Sequence, residues 1–158
     1  MAYEFYMSID GTKSGKFKGE STREAWKDKM PGVAFHSEVV SPRDMSAGSA
    51  SGRRQHKPLM VTKKIGASTP LIANALCQNE VLKTVLLEFP VRDAAGKEIL
   101  AFTIKLTNAT IAAHRIVLPD YQGDQKDRDV MEEVSFTYQK IEWEHKIAKT
   151  MAMDDWNK

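Results

Sequence analysis

The stretch "GRRQHKPLMVTKKIGASTPLIANAL", Gly52 to Leu76, carries three signals in order: a basic run, a short alternating apolar segment, and a helix start. Leu59–Ile65 alternates with the period of a half-buried strand. Ser68 or Thr69 is placed to cap a helix, and Pro70 fits its first position because the missing N–H has no partner there in any case. Ile72, Ala75 and Leu76 then share one helical face. A single helix is expected over about Thr69–Gln78, ending at Gln78–Asn79.

Strand periodicity governs the rest of the chain. Tyr3, Phe5, Met7 and Ile9 occupy alternate positions and end at Gly11, and the same period recurs in Val33–Val40, Val81–Phe89, Ile99–Leu106, Thr110–Leu118 and Val134–His145. In the last of these the apolar set runs Val134, Phe136, Tyr138 and then Ile141, Trp143, so its parity changes. A bulge or strong bend near Gln139 or Lys140 is expected, a device that lets a sheet curl and removes exposed edges. The fold class is therefore mainly β: a compact β-barrel of two sheets with one short flanking helix that plugs an end or side. At 158 residues the chain is read as one domain, 1–158.

The segment Ser41–Lys57, "SPRDMSAGSASGRRQHK", is a long loop rich in Ser, Gly and charge in the middle of a strand-dense chain. A loop of this length is functional or disordered, and a hairpin arm ordered by a partner is one reading. The tail from Lys149 is polar apart from two methionines and Trp156, and is either loose or docked.

Composition narrows the function classes. The chain is 42% hydrophobic and 28% charged with a formal net charge of +2, which suits a globular protein and not a polycation. No apolar run is long enough to cross a bilayer, and the N-terminus "MAYEFYMSIDG" alternates instead of forming a secretory leader. Neither membrane insertion nor the general export route is expected. The lone cysteine, Cys77, excludes an internal disulfide and is read as a buried structural thiol.

"GTKSGK", Gly11–Lys16, has three residues between its glycines where a phosphate loop needs four, and Phe17 stands where the metal-binding hydroxyl belongs. It reads as a lysine-rich hairpin turn. His36, His56, His114 and His145 show no paired-ligand spacing, and "DYQGDQKDRDVMEE" lacks the register of a calcium loop. No serine lies in a nucleophile elbow, and the sequon at Asn108–Thr110 falls inside a strand. The chain is read as no enzyme, with no catalytic residue, metal or cofactor.

What remains is charge. Arg53, Arg54, Lys57, Lys63 and Lys64 lie in a segment without a carboxylate, whereas Asp120–Glu133 holds six acids against Lys126 and Arg128. The basic run suits phosphate contacts in an oligonucleotide-binding barrel, or an edge facing the acidic segment of another copy. Near-neutral net charge favours the second.

Three blocks of the sequence resemble the Hcp (haemolysin-coregulated protein) family of the bacterial type VI secretion system. They are "GKFKGES" (Gly15–Ser21) after the first strand; the opening stretch with its Thr-Lys strand end and Ser-Thr-Pro helix start; and the late strands "AAGKEILAFTIKLTNATI" and "EEVSFTYQKIEWEHK" with the tail "DDW" (Asp154–Trp156). Two departures stand out: Gly66, where the family often has an acid, and "REAWKDKMPG" (Arg23–Gly32), longer than the usual turn. The resemblance implies a homo-hexameric ring with a wide channel. Rings stack into a tube inside a contractile sheath and leave the cell with spike proteins, the lumen carrying small effector proteins. The protein would assemble in the cytoplasm and be secreted without a signal peptide. It also implies that the long loop reaches a neighbouring subunit or ring. With charge complementarity added, Arg53, Arg54, Gln55, His56 and Lys57 against Asp124, Asp127 and Asp129 are the expected subunit or ring contact. A monomeric oligonucleotide-binding barrel is the alternative, and a small-ligand barrel is disfavoured by the mid-chain helix.

Overall fold

The structure, a computed structural model, describes residues 4–118 and 129–156. Its strands are β1 (Phe5–Gly11), β2 (Gly15–Lys16), β3 (Met30–Gly32), β4 (Ala34–His36), β5 (Val39–Val40), β6 (Gln55–His56), β7 (Leu59–Lys64), β8 (Leu82–Arg92), β9 (Glu98–Val117), β10 (Met131–His145) and β11 (Thr150–Asp155). The helix α1 spans Thr69–Cys77, as the Pro70 start signal requires.

Nine strands form one antiparallel sheet in the order β2-β1-β8-β9-β10-β7-β4, with β3 added on β1 and β11 on β10. β5 and β6 make a separate two-stranded ribbon. The hydrogen-bonded path is open, so the sheet wraps without closing as a barrel. The segment Met30–His36 spans the gap, its first half paired with β1 and its second half with β7, and Val33 N–H donates to Thr62 O at 2.8 Å between them.

The enclosed core is the face that alternation marks. Phe5, Met7 and Ile9 of β1 meet Leu59 and Val61 of β7, Val85 and Leu87 of β8, and Val134 and Phe136 of β10, with Ile72 and Ala75 of α1 packed beneath. Each large side chain buried here contributes about 1.5–3 kcal/mol. β1 buries its other face too. Tyr6, on the opposite parity, lies flat against Trp26 with ring centroids 4.6 Å apart. Trp26 comes from the long segment Arg23–Gly32, and its indole N–H donates to Glu98 Oε1 at 2.7 Å.

The parity change is real and wider than one strand. Buried positions step from Tyr138 to Ile141 on β10, from Leu106 to Ala109 on β9, and from Leu82 to Val85 on β8. The crease follows from Asn108, whose φ of 51° is left-handed, a conformation asparagine tolerates; its amide donates to Gln139 Oε1 at 3.1 Å. β10 and β9 keep register through Gln139 and Lys140, so no extra residue sits there. The register slips instead at Ser135/Phe136, where Ala112 of β9 is the additional residue, and at Lys83, which β1 skips.

Four further expectations are corrected. Ile99–Leu106 and Thr110–Leu118 are one continuous strand, β9, because the irregularity at Asn108 bends the strand without ending it. Val33–Val40 is two short strands, with Val33, Phe35 and Val39 exposed and not half-buried. Cys77 is exposed, because Ile72 and Ala75 set the inward face and Cys77 falls outside it. Neither Ser68 nor Thr69 caps α1 by side chain: Ser68 is itself helical (φ −79°, ψ −18°) and Thr69 Oγ1 accepts from Gly66 N–H.

Candidate assembly surface

The basic run divides between two clusters, and both are assembled within one chain. The first lies at the root of the loop Ser41–Lys57. That loop is an ordered hairpin arm: Val39 pairs with His56 and Val40 with Gln55, Arg43 bridges to Ala50, and Lys57 N–H donates to Glu38 O at 3.0 Å. The returning limb is fastened to the C-terminal strand. Arg54 Nε donates to Asp154 Oδ2 at 2.5 Å, Arg53 Nη2 to Trp156 O at 3.2 Å, and His56 Nε2 lies 2.6 Å from the same Asp154 oxygen. A carboxylate only accepts, so His56 carries a proton on Nε2, and its Nδ1 lies 3.0 Å from the Tyr138 hydroxyl. Trp156 completes the latch by donating its indole N–H to Tyr138 O at 2.6 Å.

The electrostatics follow from these partners. Hydrogen bonds from Arg54 and then His56 hold the Asp154 carboxyl below its ordinary value. Burial, with the Asp154 charge nearby, pushes the Tyr138 phenol up to about 12. The imidazole of His56 is 2% exposed, whereas Arg54 and Asp154 are 35% and 25% exposed, so the latch has a dry centre and a wet rim.

The second cluster has a fully buried centre. Lys63 points inward from β7, and its ammonium lies 2.5 Å from Glu132 Oε1 on β10 and donates to Glu20 Oε1 at 3.1 Å. Lys63 and Glu132 are both 0% exposed. Glu132 Oε1 accepts no well-formed hydrogen bond and is held as an ion pair; its Oε2 faces His114 Nε2 at 2.9 Å. Glu20 also accepts the backbone N–H of Ser68 at 2.9 Å and the Ser68 hydroxyl, which places a carboxylate at the start of α1 where the helix dipole favours it. Gly66 makes this possible. A Cβ there would stand 1.8 Å from Glu20 Cγ, so the carboxylate over this position comes from Glu20 and no side chain of its own fits.

The remaining expected contact residues are also engaged within the chain or fall outside the description. Gln55 is in the ribbon, Lys57 lies 3.7 Å from Glu38, and Asp129 is bonded to Lys64 at 2.9 Å. Asp124 and Asp127 lie outside the described residues. The attraction between the basic and acidic segments is thus realised in part as Lys64–Asp129 and Lys63–Glu132 in one molecule. No local pattern encodes the tail's role, whereas the alternation Leu59, Val61, Lys63 signals the burial of Lys63, against its charge. The turn Gly11–Lys16 is filled from within: Glu80 accepts N–H bonds from Lys13 and Ser14 at 3.2 and 2.9 Å, occupying the position an anion would take.

These features define a wrapped antiparallel sheet with an ordered arm latched to its C-terminal strand and a separate buried ion cluster. A family model described as "Type VI secretion system effector, Hcp" matches residues 6–145. The "Major exported protein" of Pseudomonas aeruginosa is 34% identical over 170 residues, covering 99% of this chain and 96% of the relative. A solved Hcp protein superposes with a TM-score of 0.91 at 29% identity over 99% of both chains. The secreted protein Hcp3 from Pseudomonas aeruginosa does so with a TM-score of 0.81 at 29% identity, over 98% of this chain and 99% of that one. The chain belongs to the Hcp family, and is a secreted tube protein of the type VI secretion system.

Proposed function

We propose that this protein forms homo-hexameric rings that stack into the inner tube, with the arm Ser41–Lys57 making the subunit or ring contact. The rings assemble in the cytoplasm, lie within a contractile sheath, and leave with spike proteins. The lumen receives small effector proteins. In this role the chain needs no cofactor and performs no catalysis; its residues hold shape and present surfaces.

The observation that carries this reading is the ordered arm, rooted by Arg54 and His56 on Asp154, in a chain whose sheet aligns with Hcp structures along almost its whole length. The expected contact residues Arg53–Lys57 serve this role by holding the arm in place. No observation favours the oligonucleotide-binding alternative. Nucleic-acid binding draws on unpaired cations, yet Arg54, Lys57, Lys63 and Lys64 each have a carboxylate partner. Light scattering coupled to size exclusion, followed by negative-stain imaging of the same peak, tests the proposal. A six-fold mass with annular particles is expected, and a monomer at high concentration would overturn it.

A further inference from the structure

A groove of about 770 Å³ opens on the outer face of β1 and β8, and none of its residues belongs to the arm or to the Lys63 cluster. Its floor is the sheet itself, with Ser8 of β1 and Thr84 and Leu86 of β8 half-buried there. One wall is built from two lysine-bearing segments. Phe17 is buried between exposed Lys16 and Lys18, so both lysines project to the outer side. Lys27 and Lys29 come from the segment after Trp26. Backbone hydrogen bonds tie the segments together, from Gly19 N–H to Asp28 O at 2.8 Å and from Ser21 N–H to Lys29 O at 3.0 Å. Only glycine allows this approach, because a Cβ at residue 19 would stand 2.3 Å from the Lys29 carbonyl carbon. The lysines are therefore fixed at their backbones.

The charge of this wall is not neutralised within the chain. Lys29 pairs with Glu88, and Lys105 of β9, opposite Leu86, lies 4.0 Å from Glu142. Lys16, Lys18 and Lys27 have no carboxylate partner among the described residues. Two acids share the groove: Asp28 in the wall, and Asp10, which stands opposite Lys16 of β2 and Thr84 of β8. Five lysines against two aspartates leave it positive.

Chemistry selects the occupant. A phosphate chain would bring its charge against Asp10 and Asp28, and the aromatic ring of the wall, Phe17, is buried and gives bases no face to stack on. A peptide offers carboxylates to the lysines and backbone N–H groups to the aspartates. The acid comes from elsewhere, since Glu38, Glu98, Glu133, Glu142 and Glu144 each have a cation partner in the same chain. From unpaired lysines on a fixed wall above a neutral sheet floor, we infer that this groove binds an acidic peptide segment of a different protein. Exposed charge pairs each add little and weaken with salt, so several acting together set which partner docks and how fast. The inference goes beyond ring formation and stands on a single subunit.

Fluorescence anisotropy of a labelled peptide of alternating glutamate and threonine, titrated with the purified full chain, is the test. The peptide is expected to bind the wild type, more weakly as salt rises, and to bind Lys16→Glu/Lys27→Glu about tenfold or more weakly. Lys97→Glu/Lys149→Glu makes the same charge change at exposed positions outside the groove and is expected to bind like the wild type. Lys18→Gln/Lys27→Gln removes charge without reversing it and should lie between the two. No binding to the wild type would overturn the inference, and so would equal losses in the two charge-reversed variants, which would show attraction to net charge alone. A labelled oligothymidylate that binds more tightly than the peptide and depends on Lys16 and Lys27 would replace it with a nucleic-acid site. Size exclusion of the same proteins separates this inference from the ring. A six-fold mass retained by Lys16→Glu/Lys27→Glu supports a surface left for another protein; its loss, with an unchanged urea midpoint, would make the groove a face between copies and overturn the assignment. Peptide binding by a chain that stays monomeric would support the groove and overturn the ring.

Discussion

The arm latch and the Lys63 cluster are built from the same chemical parts, and burial makes them opposites. Each sets a cation and a histidine against carboxylate. Around Lys63 the central ammonium and the Glu132 carboxylate have no access to water, with Glu20 partly exposed beside them, and the cluster ties β7, β10, β9 and the start of α1 into one unit. At the latch the histidine is dry but Arg54 and Asp154 are wet, and the pair joins two segments of the surface. An interior pair rarely stabilises more than an apolar replacement of equal volume would, yet removing one partner is costly. It enforces one arrangement. A half-exposed pair contributes modestly and answers to pH and salt. It suits a part that must be positioned for a partner. The interior cluster keeps the sheet's shape, and the latch holds the arm.

The largest expected effect separates the two. Lys63→Met leaves Glu20 and Glu132 sharing an interior without the ammonium between them, and is expected to cost about 3–5 kcal/mol in denaturant unfolding. Adding Glu132→Leu should recover much of that loss. If Lys63→Met alone is neutral, the cluster does not enforce the fold.

Acid titration probes the latch. The folded pKa of Asp154 lies below its ordinary 3.8, held down by Arg54 and His56. Its contribution is therefore complete above that value and is lost as pH falls through the lowered one. Asp154→Asn should show a shallower loss of stability through this acid window than the wild type, read as the difference in urea midpoint against pH. Parallel curves would mean that the carboxylate adds nothing to the folded state.

The alkaline side is sharper in position but smaller in effect. Tyr138 is raised from 10.0 to about 12, so its contribution is complete below pH 10 and is lost as pH rises toward 12. Phenolate absorbance should include one late-titrating tyrosine that Tyr138→Phe removes. The smallest effect is expected at Cys77: as an exposed residue outside the helix's buried face, Cys77→Ser should change stability by less than about 0.5 kcal/mol.

Alternation carried most of the fold in the sequence, because the apolar parity of each core strand is its enclosed face, even where β1 buries the other face as well, and only the surface edge Val33–Val40 departs from it. Even the crease was legible, in the parity step from Tyr138 to Ile141, although its cause lies across the sheet at Asn108. Tyr6 was hidden from such reasoning, since a polar-looking position becomes core only when Trp26 is laid over it from a segment without periodicity. The site was less legible than the fold. Arg53–Lys57 stood out as a charge run, but their partners in Asp154 and Trp156 are about a hundred residues away, and no local pattern encodes that pairing. Lys63 falls within a basic run yet shares the buried parity of Leu59 and Val61, and net charge carries no information on which side of a strand a lysine points.

The tail holds the arm in place before any partner arrives, through Arg54 and His56 on Asp154. Amide hydrogen exchange on dilute, unassembled subunits tests it most directly. The account predicts that the backbone amides at the root of the arm, Lys57 among them, are protected in the wild type and lose protection in Asp154→Asn, while β9 and β10 are unchanged. Arm amides that exchange at unstructured rates in the wild type would contradict it.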